Sequence, residues 1–99
     1  MIKVETTKKD NNYNKIIISG HALYDDYGKD IVCSAVSSIV ITTINGILTI
    51  NQDGLKYHQT DNLEIDNISK DEITQKLLIN MLNLLQELEE KYPDNIKVK

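Results

Sequence analysis

After Asp30 the chain runs for about twenty residues with no charged side chain and no turn signal at its middle. Ile39, Val40, Ile41, Thr42, Thr43 and Ile44 individually favour strands, but the stretch is too long for one, so it is read as a helix. Asp30 stands where an N-cap carboxylate accepts the N–H groups of the first turn. At roughly 100° per residue, Ser34, Ser38, Thr42 and Asn45 collect within an arc of about 80°, and the rest of the circumference is apolar. Such a helix is expected at the centre of the domain, enclosed on most sides, with its small polar positions admitting a close neighbour.

The remaining elements arrange themselves around it. Ile2, Val4 and Thr6 alternate with polar residues as a half-buried strand does, and Tyr13 to Ser19 form an Ile-rich second strand ending at Gly20. Between them, Lys8-Lys9-Asp10-Asn11-Asn12 is the turn, because Asp and Asn bond their own backbone and tolerate left-handed dihedrals. Leu55 with Tyr57 and Leu63 with Ile65 read as a second hairpin, turning over His58 to Asn62. Ser69 and Glu72 have the spacing of a capping box, with Ile68 and Ile73 as its hydrophobic staple.

In the helix that follows, Ile73, Leu77, Leu78, Met81, Leu82, Leu84, Leu85 and Leu88 cover about 180°, more than one sheet face requires. The surplus around Leu78, Leu82 and Leu85 is either a subunit contact or the mark of a deeply seated helix. Tyr92-Pro93-Asp94-Asn95 ends it, and Ile96 and Val98 fit a last strand. The order ββαββαβ predicts an α+β fold, a mainly antiparallel sheet with two helices on one face, in a single domain over residues 1–99.

Composition excludes several functions. The eleven basic residues are all Lys, and fifteen acidic residues leave a formal net charge of −4. A chain without Arg lacks the planar fork that recognises phosphate and guanine edges, and its negative charge repels a polyanion, so direct nucleic acid binding is not expected. No apolar run approaches the roughly 18–20 residues that span a bilayer, which predicts an unanchored cytoplasmic protein. One cysteine and two histidines without ligand spacing give no metal site and no cofactor. His58 reads as an exposed turn residue.

The candidate chemistry lies between Gly20 and Ser37. His21 leaves the tip of a strand, and Cys33 occupies the third residue of a helix, where the partial positive charge of the helix start favours thiolate over thiol. The same first-turn N–H groups are oriented donors for an oxyanion. His21 then serves as general base and acid to Cys33. The alternative from the residues alone is a packed, inert thiol, since free cysteine is among the most buried residue types. Ser37, about 40° from Cys33 and one turn on, either supports thiolate or substrate or bonds the carbonyl four residues back. Asp30 either orients His21 or only caps the helix, and capping suffices to explain it. Tyr24 and Tyr27 either contact apolar substrate side chains or anchor the loop.

The segment Gly20 to Ser37, GHALYDDYGKDIVCSAVS, resembles the signature of the ribosomal-processing cysteine proteases, the Prp family. The resemblance rests on the Gly-His-Ala start, the Gly before Asp-Ile-Val-Cys, the His-to-Cys spacing and the Ala-Val-Ser that follows. It implies a cytoplasmic, dimeric endopeptidase that removes an N-terminal extension from large-subunit ribosomal protein number twenty-seven during ribosome assembly. By position, His21 would be the catalytic histidine and Cys33 the nucleophile, with Gly20 and Gly28 flanking a loop over the cleft. Ser34 departs from the small Ala usual after the cysteine, and the acidic pair Asp25-Asp26 is a candidate for tuning substrate choice. The competing reading is a non-catalytic ribosome-assembly or peptide-binding module.

Overall fold

The computed structural model describes residues 1–20 and 31–99. The element order is the expected ββαββαβ, with β1 Ile2–Lys9, β2 Asn12–Ser19, α1 Ile31–Ile50, β3 Lys56–Gln59, β4 Leu63–Asp66, α2 Glu72–Lys91 and β5 Ile96–Val98. The strands form one sheet in the order β3-β4-β2-β1-β5. All neighbouring pairs are antiparallel except β1 and β5, which run parallel with Ile2 opposite Ile96.

Alternation in the strands decides which face the helices cover. Ile2 and Val4 of β1, Ile16 and Ile18 of β2, Ile65 of β4 and Ile96 of β5 join the buried residues of both helices in one aliphatic cluster. The opposite face carries Lys3, Glu5 and the cross-strand ion pair Lys15–Glu64 at 2.7 Å. Their hydrogen bond and charge hold the Glu64 carboxyl below and the Lys15 ammonium above their ordinary ranges, but an exposed pair of this kind contributes little to stability.

The first hairpin is tighter than the sequence suggests. The expected five-residue turn contracts to Asp10-Asn11, both at positive φ (55° and 65°), which is the geometry of a two-residue turn matched to strand twist. A register shift between Thr7 and Lys8 absorbs the mismatch. In the second hairpin the turn lies at residues 60–62, closed by Thr60 N–H donating to the Asn62 carbonyl. His58 is exposed as expected, but it belongs to β3 and not to the turn, and it lies 3.5 Å from Asp66.

Helix α1 spans the expected twenty residues, yet it is not enclosed. Val32, Cys33, Val36, Val40, Ile44 and Ile47 are buried, whereas Ser34, Ser38, Thr42 and Asn45 face outward with Ile41 beside them. The polar arc is thus a solvent face and not a seat for a neighbouring element. Contrary to the sequence expectation, α1 also has the length and the mean hydropathy, 2.0, of a membrane span. Its buried stripe against the sheet accounts for that composition as the packing of a core helix.

Helix α2 corrects two further expectations. Its N-cap is Asp71, not Ser69: the Asp71 carboxylate accepts from Thr74 N–H at 3.0 Å and from the Thr74 hydroxyl at 2.8 Å. Ser69 instead accepts from Asp71 N–H, and Ile73 is exposed, so no staple closes over Ile68. Leu78, Leu82 and Leu85 are all buried within the protomer, which removes them as a subunit contact. The apolar surplus lies at the other margin of the stripe, on Ile73 and Leu84.

Gln75, also buried, works as a piece of substitute backbone. Its Oε1 accepts from Tyr13 N–H at 2.8 Å, and its Nε2 donates to the carbonyls of Tyr13 (3.0 Å) and Ser69 (2.9 Å). Pairing of β2 with β4 covers only Ile16 to Ile18, so the Gln75 amide satisfies the edge of β2 that β4 does not reach.

Candidate active site

Two positions frame the site. Gly20 ends β2 at φ +68°, and a Cβ placed there would stand 2.1 Å from the Met1 carbonyl oxygen. A residue with a side chain fits neither the dihedral nor the space, so the sequence Gly20-His21 has a backbone reason independent of chemistry. Cys33 is the third residue of α1, and its side chain is 1% exposed within the aliphatic cluster. His21, Tyr24, Tyr27, Gly28, Asp30 and the pair Asp25-Asp26 lie outside the described residues, and so do the expected capping of α1 by Asp30 and the distance from His21 to Cys33.

The burial of Cys33 follows from where its turn points. With 3.6 residues per turn, Cys33 shares a stripe with Val36, Val40 and Ile44, all of which face the sheet. Ser34 faces outward, whereas Ser37 is half-buried on the flank of that stripe and lines a cavity. The sulfur therefore sits under the surface at the N-terminal end of a long apolar helix. The N–H groups of that first turn point back along the axis, an arrangement that favours negative charge.

The cavity, of about 230 Å³, opens between α1 and the β3–β4 hairpin. Ile18, Val36, Val40 and Ile44 form its apolar floor. It exists because Tyr57 and Gln59 project toward the helix-covered face from β3, the terminal strand of the sheet, paired opposite Ile65 and Leu63. Ser37, Asn45 and Gln59 place polar groups at its rim. Sequence reasoning singled out Ser37 but missed Tyr57, Gln59 and Ile41. The available signal was the alternation of Tyr57 and Gln59 on a strand whose core-facing side no aliphatic residue fills. Among the described residues, no three His, Cys, Asp or Glu side chains come together in a way that would hold a metal ion.

A side-chain-sized apolar cavity one turn from a cysteine at a helix start, on an α+β scaffold, invites comparison with cysteine hydrolases. Residues 1–97 match the family model described as Cysteine protease Prp. The ribosomal processing cysteine protease Prp of Staphylococcus aureus (strain NCTC 8325) is 32% identical over 104 residues, covering 99% of this chain and 97% of that protein. Two solved structures of the S. aureus protease share the fold. One, in complex with a covalently linked product peptide, superposes with a TM-score of 0.89 at 30% identity over 100% of this chain and 98% of that one. The other, with a substrate peptide, gives 0.87 at 29% identity over the same shares. Fold and sequence together define the chain as a cysteine protease. Within that class it belongs to the Prp family, as the Gly20 to Ser37 segment implies.

Proposed function

We propose that this protein is a cytoplasmic endopeptidase that removes the N-terminal extension of large-subunit ribosomal protein number twenty-seven during ribosome assembly, with Cys33 as nucleophile and His21 as general base and acid. One observation carries the assignment of the nucleophile. The chain belongs to a cysteine protease family and has a single cysteine, seated in the first turn of α1.

In this reading, His21 accepts the Cys33 proton and the sulfur attacks the scissile carbonyl carbon. The oxyanion that forms is stabilised by the N–H groups at the start of α1. Collapse of the tetrahedral intermediate breaks the C–N bond, and His21 donates its proton to the departing amine. A water molecule, deprotonated by His21, then attacks the thioester carbonyl and releases the acid product with Cys33 restored. The proposed roles of the other sequence candidates are supportive: Gly28, Tyr24 and Tyr27 belong to the loop over the cleft, Asp30 caps α1, and Ser37 borders the substrate. Because Cys33 is 1% exposed, productive binding has to uncover the sulfur.

The proposed working unit is a homodimer. The family resemblance implies this state; Ile73 and Leu84, exposed and within about 20° of each other around α2 at 100° per residue, are the candidate contact, and light scattering reads the mass directly. The test of the activity is cleavage of a synthetic peptide spanning the extension, analysed by mass spectrometry, with wild type, Cys33→Ala and His21→Ala. Cleavage by wild type alone is expected. A wild type that binds the peptide and leaves it intact points instead to the non-catalytic peptide-binding module.

A further inference from the structure

We propose that Gly20 is a positioning residue for the reaction: its seat against the Met1 carbonyl fixes the point and direction from which the chain leaves β2, and so governs the alignment of the next residue, His21, with the Cys33 sulfur. The inference rests on the assignment of His21 as base and names what holds it.

Both sides of the seat are main chain. The last ladder pair between β1 and β2 at this end is Lys3 with Ser19, so Gly20 lies one step beyond it, against the start of β1. A Cβ there would meet the Met1 carbonyl oxygen at 2.1 Å, its carbon at 3.1 Å and the Ile2 Cα at 3.5 Å, and none of these atoms turns aside as the end of a side chain does. The facing strand end is itself tied down. Ile2 is buried opposite Ile96, and its N–H donates to the Asn95 carbonyl. The Asn95 N–H donates in turn to the Tyr92 carbonyl at 2.9 Å, and the Tyr92 N–H to the Leu88 carbonyl at 2.9 Å, so the support continues into the last turn of α2.

Neither a turn nor the core asks for this contact. Asp10, Asn11 and Asn67 all take positive φ with their side chains in place. Gly20 is exposed and lies outside the aliphatic cluster. What sets it apart is its location. Two residues earlier, Ile18 shares a cavity lining with Val36 and Ser37, so the end of β2 lies alongside the early turns of α1, where Cys33 sits. A general base works at a heavy-atom distance of about 2.6–3.2 Å, and a catalytic constellation tolerates about 0.5 Å of displacement. An alanine Cβ would drive Gly20 and the Met1 carbonyl apart by more than an ångström, about twice that tolerance. Consecutive Cα atoms are about 3.8 Å apart, so no length of chain between Gly20 and His21 absorbs the shift.

The experiment measures cleavage of the extension peptide and alkylation of Cys33 by iodoacetamide at neutral pH, at a temperature where circular dichroism shows each protein folded. Wild type, Gly20→Ala, His21→Ala and the double variant are compared, and Gly20→Asn, which tolerates the dihedral but carries the same Cβ, stands in should Gly20→Ala not fold. Gly20→Ala is expected to lose about 100-fold in kcat with KM within about twofold of wild type, and to slow alkylation as His21→Ala does. In the double variant alkylation should match that of His21→Ala, because a base that is absent is not displaced further. Wild-type alkylation in a folded Gly20 variant, or a further fall in the double variant, makes Gly20 a structural residue only and overturns the inference while the His21 assignment stands. A wild type that cleaves no peptide, or alkylation unchanged by His21→Ala, overturns that assignment and the inference with it.

Discussion

Replacing Gly20 by Ala should be among the most damaging single-methyl additions in this protein. The residue sits at φ +68°, where an alanine costs about 1–2 kcal/mol relative to its ordinary backbone conformations. The added Cβ would stand 2.1 Å from the Met1 carbonyl oxygen and 3.1 Å from its carbon, whereas ordinary contact begins at 3.4 Å, so strand ends must separate by more than an ångström. They do not separate freely: Ile2 is buried in the core, and its N–H donates to the Asn95 carbonyl at 2.8 Å. Overpacking of that kind costs about 1–3 kcal/mol, bringing the expected loss to about 2–5 kcal/mol. For a domain of this size each kcal/mol lowers Tm by about 4–8 °C.

Urea unfolding followed by far-UV circular dichroism measures the loss, since the chain has no Trp to report by fluorescence. Gly20→Asn separates the two causes. Asn tolerates the left-handed dihedral but carries the same Cβ, so equal losses identify the steric contact, and a recovery of about 1 kcal/mol in Asn identifies the dihedral. A Gly20→Ala protein within about 0.5 kcal/mol of wild type, the range of ordinary surface substitutions, would refute the reasoning.

Leu85→Ala should cost about 2–5 kcal/mol while Leu84→Ala, one residue earlier but exposed, stays within about 0.5 kcal/mol; similar losses in denaturant titrations would contradict the assignment of faces on α2. Gln75→Glu changes one group yet replaces the donor to the Tyr13 and Ser69 carbonyls with an oxygen, and a loss of about 2–4 kcal/mol at neutral pH is expected; a neutral substitution would mean that the amide does not hold the edge of β2. The Ser69 hydroxyl, with the Thr74 N–H and hydroxyl, holds the Asp71 carboxyl below its usual range. Its stabilising effect is therefore complete above the unfolded carboxyl's pKa of about 3.9 and is lost as pH falls through the lower folded value. The Tm gap between wild type and Asp71→Asn should be steady from about pH 7 to 5 and close in stronger acid, and a gap independent of pH would show that the charge is immaterial.

The fold was legible wherever a local rule coincided with the tertiary arrangement. Asp10 and Asn11 announced a turn because their side chains tolerate positive φ, and that local preference survives in the structure. The cap of α2 was misread because Ser69 and Asp71 both have capping chemistry within three residues. The choice between them is made by Gln75, whose reach back to the Ser69 carbonyl fixes Ser69 outside the helix, a contact that spacing does not encode. On α2 the sequence leaves Leu78, Leu82 and Leu85 open between a subunit contact and a deeply seated helix, and their burial gives the second. The apolar stripe is wider than the contact, and the position of α1 and β5 decides which margin is covered. Cys33 was legible through its motif, but its depth depends on the sheet beneath α1. The cavity was not legible, since it is formed by residues from β2, α1, β3 and β4 that only the strand order brings together.

The two ends of the sheet have a bearing on selectivity. The terminal strands are short, with four residues in β3 and three in β5. β3 presents Lys56 and His58 outward and β5 presents Lys97. Short, charged margins are poor templates for further strand addition. For a protease whose ligand is an unfolded stretch of chain, this limits both self-association into ribbons and idle capture of substrate along a margin. Extended segments thus meet no ready sheet margin to pair with at β3 or β5.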